Sequence, residues 1–173
     1  MDIEAYQYEE EPKSISHETT FDTDLDDPEE VERTLSYLAQ LVGRRLRDHG
    51  LFARTVGLKL RFAPFKTLTR DLTLDEPTNL DSVIFASVLR LLENAWNGKP
   101  KIRLVGVRSS HLERAVFQRN LMEAAQHQKL DKVLKAADKV REKFGFDAVQ
   151  LARSVDPGQP AKPRKRREFL GRE

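Results

Sequence analysis

The sequence predicts an α+β fold, a two-layer sandwich. A four-stranded antiparallel sheet in the order β-α-β-β-α-β carries two helices on one face, and a further helix follows at the C-terminal end. Three observations lead there. Val56, Leu58, Leu60 and Phe62 alternate with Thr55, Gly57, Lys59 and Arg61, a period of two that puts apolar groups on one face of a strand and small or cationic groups on the other. Val31, Leu35, Leu38, Val42 and Leu46 recur at helical spacing, as do Ile84, Phe85, Val88, Leu91, Leu92, Ala95 and Trp96. Cap and turn residues punctuate these segments in the order the fold requires.

The first strand lies in "KSISHETTFDTDL". The first helix has Asp27 to cap it, Pro28 at its first position, Glu30 three residues after the cap, and Gly50 to end it. Pro64 separates the second strand from a third, in which Leu68, Leu72 and Leu74 oppose Thr67, Thr69, Asp71 and Thr73. Arg70 falls on the apolar parity of that strand, which places it near an edge or twisted out. "DEPTN" reads as the loop into the second helix, which Gly98 ends. "KIRLVGVRSS" is the fourth strand, with a bulge expected at Gly106. "HLERAVFQRNLMEAAQ" is a connection of unassigned structure. Leu130, Val133, Leu134, Ala137, Val140 and Phe144 then define an amphipathic helix stopped by Gly145, and "GFDAVQLARSV" is expected to pack back on the domain.

This organisation divides the chain into an acidic linker (1–12), a compact domain (13–112), a connection (113–128), a helical extension (129–155) and a Pro-rich basic tail expected to be disordered (156–173). At 39% hydrophobic and 34% charged residues the chain reads as soluble, and its apolar runs fall far short of the roughly 20 residues of a membrane span. It has no secretory signal pattern and no cysteine, which excludes disulfides and cysteine-based metal sites and suits the reducing cytoplasm. The net charge of +2 conceals a division. Residues 1–30 hold twelve carboxylates and one lysine, while residues 31–173 hold 29 cations and 16 carboxylates. A basic body fits a polyanionic partner, although lysine and arginine also serve solubility.

With both helices on one side, the other sheet face is left bare and carries Thr55, Lys59, Arg61, Thr67 and Thr69. Such a face either meets a phosphate backbone, which cations, hydroxyls and strand amides can contact, or is simply solvated. No reaction can be assigned. There is no glycine-rich phosphate loop, nucleophile elbow or His/Glu metal spacing, and His17, His49, His111 and His127 are scattered. "DTDLDD" lacks the glycine and terminal glutamate of a calcium loop.

"KSISHETTF", "RTVGLKLRFAPFKTLTRDLTL" and "IRLVGVRSSHLE" follow in order with a helix in each gap. Together they resemble the little-finger domain of Y-family translesion DNA polymerases, most closely the bacterial DNA polymerase IV type, over about Pro12 to Leu151. The resemblance implies a DNA-binding module for primer–template duplex in translesion synthesis and DNA repair. It implies partner domains (palm, fingers and thumb) and two Mg²⁺ ions held by palm carboxylates. No palm stands in these residues, so the chain is expected to be a C-terminal part of a polymerase that begins in the tether, with no cofactor of its own and no polymerase activity alone. Carried over, the DNA-contacting residues are Ser14, Ser16 and Thr19 on the first strand, Lys59 and Arg61 on the second, Thr67, Thr69 and Arg70 on the third, and Arg103 and Arg108 on the last. Asp71 stands where the family usually has serine, so it points off the DNA, weakens the grip or pairs with a nearby arginine.

The family's sliding-clamp peptide has its counterpart in "QRNLM", where Gln118, Leu121 and Met122 fit and Arg119 departs; "EFLG" near the end is a weaker candidate. The basic tail either adds nonspecific DNA affinity or is merely solvated. Two other readings stay open. One is an adaptor that chiefly binds the clamp or the other polymerase domains. The other is an unrelated RNA-binding α+β domain, which the lack of aromatic residues on the bare face disfavours.

Overall fold

A computed structural model of the protein describes residues 12–114 and 121–154, with the backbone alone at 121–127 and 153. The elements are β1 (Ser14–Leu25), α1 (Pro28–Asp48), β2 (Leu51–Phe62), β3 (Thr67–Thr78), α2 (Asp81–Ala95), β4 (Ile102–Arg114) and α3 (Leu121–Phe144). Two 3-10 turns, Phe146–Ala148 and Ala152–Ser154, follow α3. The sheet is antiparallel throughout in the order β1-β4-β2-β3, so β2 and β4 are central and β3 is an edge. The predicted fold class is therefore the observed one.

Local chemistry sets the helix ends. The Asp27 carboxylate accepts from the Glu29 amide at 2.9 Å, Pro28 opens α1, and Glu29 and Glu30 sit at the positive end of its dipole. Gly50 turns the chain into β2 at φ +64°, a conformation that costs glycine nothing. α2 ends sooner than Gly98. Trp96 is already extended, and its indole donates to the Pro100 carbonyl at 2.8 Å. β3 likewise continues through Asp75, Glu76 and Pro77 to Thr78, where a loop was expected; an edge strand tolerates the proline and the register shift opposite Ala53 and Thr55.

The apolar stripe of α1 and the inward residues of β2 form the core. Val31, Leu35, Val42, Leu46, Val56, Leu58 and Leu60 are all essentially without solvent contact, as are Ile84 and Val88 of α2 and Ile102, Val105 and Val107 of β4. Each such side chain stabilises by about 2 kcal/mol relative to exposure. Among the described residues the opposite sheet face receives no helix.

The sequence reading of α3 is reversed in one respect. Leu130, Val133, Val140 and Phe144 are exposed, Val133 by 65%, and Leu134 and Ala137 are only half-buried, whereas Asp138 and Arg141 are buried. The reason lies on α1, which has a second buried stripe, Ser36, Gln40, Gly43 and Arg47, and this stripe is polar. The Arg47 guanidinium clasps both Asp138 carboxylate oxygens (2.6 and 3.1 Å) and donates to Asp81 Oδ1 at 2.7 Å and the Asn79 carbonyl at 2.8 Å. Arg141 donates to Asp138 at 2.9 Å, to Gln40 Oε1 at 2.7 Å and to the Val149 carbonyl at 2.9 Å. Gln40 also accepts from the Leu151 amide and donates to Ser154 Oγ, which ties down the segment after α3. Two arginines and two aspartates thus neutralise one another where three helices meet. Gly43 leaves the space for Asp81, since a methyl group there would collide with its carboxylate. Burial pushes the Asp81 carboxyl above its ordinary pKa, against the opposing pull of Arg47 and Arg141.

Replacing Arg47 by methionine would leave two buried carboxylates short of a cation. Arg47→Met is expected to lower stability by about 3 kcal/mol or more in urea denaturation followed by circular dichroism, and a loss under about 1 kcal/mol would contradict this role.

His17 supplies a pH prediction. It faces the helices from β1, with Nε2 buried and unbonded among the described residues. Burial, and secondarily the charge of Arg45, lower its pKa from the ordinary 6.5. In the window below 6.5 the unfolded chain takes up a proton that the folded chain does not, so this contribution to stability is lost as pH falls. Thermal melts of His17→Gln should show a shallower loss from pH 7 to pH 5.5 than the parent chain.

Candidate nucleic-acid interface

The sheet register lays out the helix-free face as four cross-strand rows, read here from β1 through β4 and β2 to β3. The rows are Ser14, Ser110, Thr55, Thr73; then Ser16, Arg108, Gly57, Asp71; then Glu18, Gly106, Lys59, Thr69; then Thr20, Leu104, Arg61, Thr67. Eight of these positions are Ser or Thr and three are Lys or Arg, while none is aromatic. A groove runs across Gly57 and Gly106, bordered by Ser16, Glu18, Lys59, Thr69 and Arg108.

Of the residues expected to contact DNA, Ser14, Ser16, Lys59, Arg61, Thr67, Thr69 and Arg108 are brought together on this face. Three are not. Thr19 shares the parity of Ile15 and His17 and points to the helix side, leaving Thr20 on the open face. Arg70 lies opposite buried Leu58; being on the edge strand it remains exposed, and its guanidinium folds back to the Thr69 carbonyl at 3.0 Å. Arg103 is the extra residue of a bulge. Arg61 pairs with Leu104 and Phe62 with Ile102, so Arg103 is turned out of the ladder. Its guanidinium lies over the Phe65 ring, 4.9 Å from the centroid, and 3.8 Å from Asp24. The bulge expected at Gly106 is therefore at Arg103. Gly106 pairs regularly with Glu18 and Lys59, and what it supplies is space: a Cβ there would lie 3.1 Å from that of Glu18 and 3.4 Å from that of Lys59.

The cations of this face are already engaged. Lys59 Nζ donates to Glu18 Oε2 at 2.7 Å, and Arg108 donates to the two Asp71 oxygens at 3.2 and 3.3 Å. Arg61 donates to the Thr67 hydroxyl at 3.2 Å. Of the three placements open to Asp71, pairing with an arginine is the one observed. Glu18 and Asp71 thus belong to the same face as these cations, although charge alone gives no reason to select them from a sequence. The signal that locates both is register, since each stands one strand beyond a glycine.

Of the clamp peptide, Leu121 and Met122 form the start of α3, their side chains lying outside the described residues together with Gln118. The acidic arm before Pro12 and the basic tail lie outside them as well.

A four-stranded sheet roofed by helices on one face, with hydroxyls and cations spread over the other, defines the class as an α+β domain with an open polar sheet surface. The chain belongs to the impB/mucB/samB family, whose C-terminal domain matches residues 12–121. It is similar to DNA polymerase IV of Dehalococcoides mccartyi, 37% identical over 145 residues, which covers 83% of this chain and 37% of that relative. DNA polymerase IV 1 of Mesorhizobium japonicum is 35% identical over 164 residues, covering 94% of this chain and 37% of that protein. The chain therefore spans little more than a third of the length of these relatives. Among solved structures, one described as a complex of beta-clamp processivity factor and little finger domain of PolIV superimposes with a TM-score of 0.49 and 22% identity, over 63% of this chain and 97% of that one. The family resemblance drawn from the three sequence motifs holds. Among the described residues no helix is long and apolar enough to cross a membrane.

Proposed function

We propose that this chain is the duplex-gripping module of a Y-family polymerase of the DNA polymerase IV type, and that it holds primer–template DNA during translesion synthesis through the open face of its sheet. The observation that carries the reading is the arrangement of that face, where Lys59, Arg61 and Arg108 are interleaved with Ser14, Ser16, Thr20, Thr67 and Thr69. Arginine, lysine and hydroxyl groups are the ordinary partners of phosphate oxygens, and contacts to phosphate position a duplex without reading its sequence. A grip of this kind serves lesion bypass, because the backbone stays recognisable when a base is damaged. The lack of aromatic platforms disfavours stacking on single-stranded RNA. Nucleotidyl transfer, with the Mg²⁺ ions that the resemblance implies, is assigned to palm, fingers and thumb domains of such a polymerase, with the whole acting in the cytoplasm.

A labelled primer–template duplex titrated with the chain at several salt concentrations should show salt-dependent, sequence-independent binding by fluorescence anisotropy. Replacing Lys59 and Arg61 by alanine should weaken it and flatten the plot of log affinity against log salt by roughly one per lost phosphate contact. An unchanged slope would remove the sheet face from the interface.

A second contact, with a sliding clamp, has its support in the fit of Gln118, Leu121 and Met122 to the clamp-peptide pattern. Deleting residues 118–122 should abolish clamp binding in a pull-down with purified clamp and leave duplex affinity within about twofold. An undiminished pull-down would exclude this peptide.

A further inference from the structure

The two central rows of the open face mirror one another. From β1 to β3 one row reads Ser16, Arg108, Gly57, Asp71; from β3 to β1 the other reads Thr69, Lys59, Gly106, Glu18. Each is a hydroxyl, a cation, a glycine and a carboxylate, and the two are related by a local twofold axis normal to the sheet between β4 and β2. In each row the carboxylate starts one strand beyond the glycine and crosses it to reach the cation. Asp71 on β3 passes over Gly57 of β2 to Arg108 of β4, and Glu18 on β1 passes over Gly106 of β4 to Lys59 of β2. The crossing depends on the glycine, for a methyl group at Gly57 would collide with the Asp71 carboxylate.

We infer that each row is a phosphate site whose occupant in the DNA-free protein is the chain's own carboxylate, so that Asp71 and Glu18 compete with DNA for Arg108 and Lys59. The inference rests on the DNA-binding reading above and adds a property that reading lacks: a grip limited from within. A carboxylate presents two oxygens to a guanidinium much as a phosphodiester does, so either anion fits the same donors. Both pairs are half-exposed, where ion pairs are weak and readily exchanged. Once the carboxylate swings away, the bare glycine lets a phosphate approach the strand, and Ser16 or Thr69 beside the cation offers a hydroxyl to a second oxygen. Asp71 matters most for this protein, because it stands where the motif of the resemblance carries serine. That serine has no charge with which to hold Arg108.

The test is a pair of mutant cycles on the whole chain, read as duplex affinity by anisotropy at fixed salt. Asp71→Asn should tighten binding by about threefold, and Glu18→Gln by a similar factor, as release of one exposed ion pair implies. The gain from Asp71→Asn should vanish in an Arg108→Gln background, and that from Glu18→Gln in a Lys59→Gln background. Thermal midpoints should fall by no more than about 3 °C, as the loss of one exposed ion pair allows, which separates competition from misfolding. Equal gains with and without the cation partner would show a general charge effect and overturn the inference, as would no gain at all, while the DNA-binding reading would stand. Failure of the parent and every variant to bind duplex at low salt would remove that reading and the inference with it.

Discussion

A strand offers its side chains alternately to two sides, and in this protein the helices occupy only one of them. β2 shows the consequence most clearly. Val56, Leu58, Leu60 and Phe62 are buried against α1 and α2, which commits Thr55, Gly57, Lys59 and Arg61 to the other side. Because β4 and β3 are locked to β2 by antiparallel register, the sidedness of one strand passes across the whole sheet. The open face is therefore no independent invention on the surface. Shifting β2 by one residue would bury its cations and expose the core, so stability and the candidate interface are defended by the same constraint.

The helical side carries a different kind of interface. α1 meets the sheet through aliphatic groups and meets α3 through Gln40 and Arg47, so one helix has an oily contact and a charged one about a quarter turn apart. Removing two arginines and two aspartates from water is expensive, and their mutual hydrogen bonds offset that cost without making the joint a strong source of net stability. What such a joint supplies is geometry. A bidentate Arg47–Asp138 pair together with the Arg141–Gln40 bond admits few ways for α3 to seat.

Much of this was legible beforehand. The four strands, the two helices over them, the cap at Asp27 and the turn at Gly50 are written in periodicity and in residue types with narrow conformational uses. Sequence patterns fall short where an outcome depends on neighbours in space. Family position puts Thr19 on the open face, although parity alone places it inward with Ile15. Glycine commonly marks a bulge, yet Gly106 leaves room between Glu18 and Lys59, and the bulge falls at Arg103, a residue type that marks nothing. The aliphatic stripe of α3 does not determine how the helix seats. Its true seat follows from a polar stripe on a helix some hundred residues earlier, which hydrophobic periodicity cannot register.

That distance in sequence has a kinetic side. The bonds that seat α3 and the turns after it close loops of 91 residues from Arg47 to Asp138, 101 from Gln40 to Arg141 and 111 from Gln40 to Leu151. Closure of long loops is entropically slow, and these residues also leave a ribosome late. The sheet and its two covering helices can assemble first from nearer contacts, so Arg47 and Asp81 wait in a half-built wall until Asp138 and Arg141 arrive. The C-terminal helix is thus the closing stone of the domain, set after the surface on the far side of the sheet already has its shape.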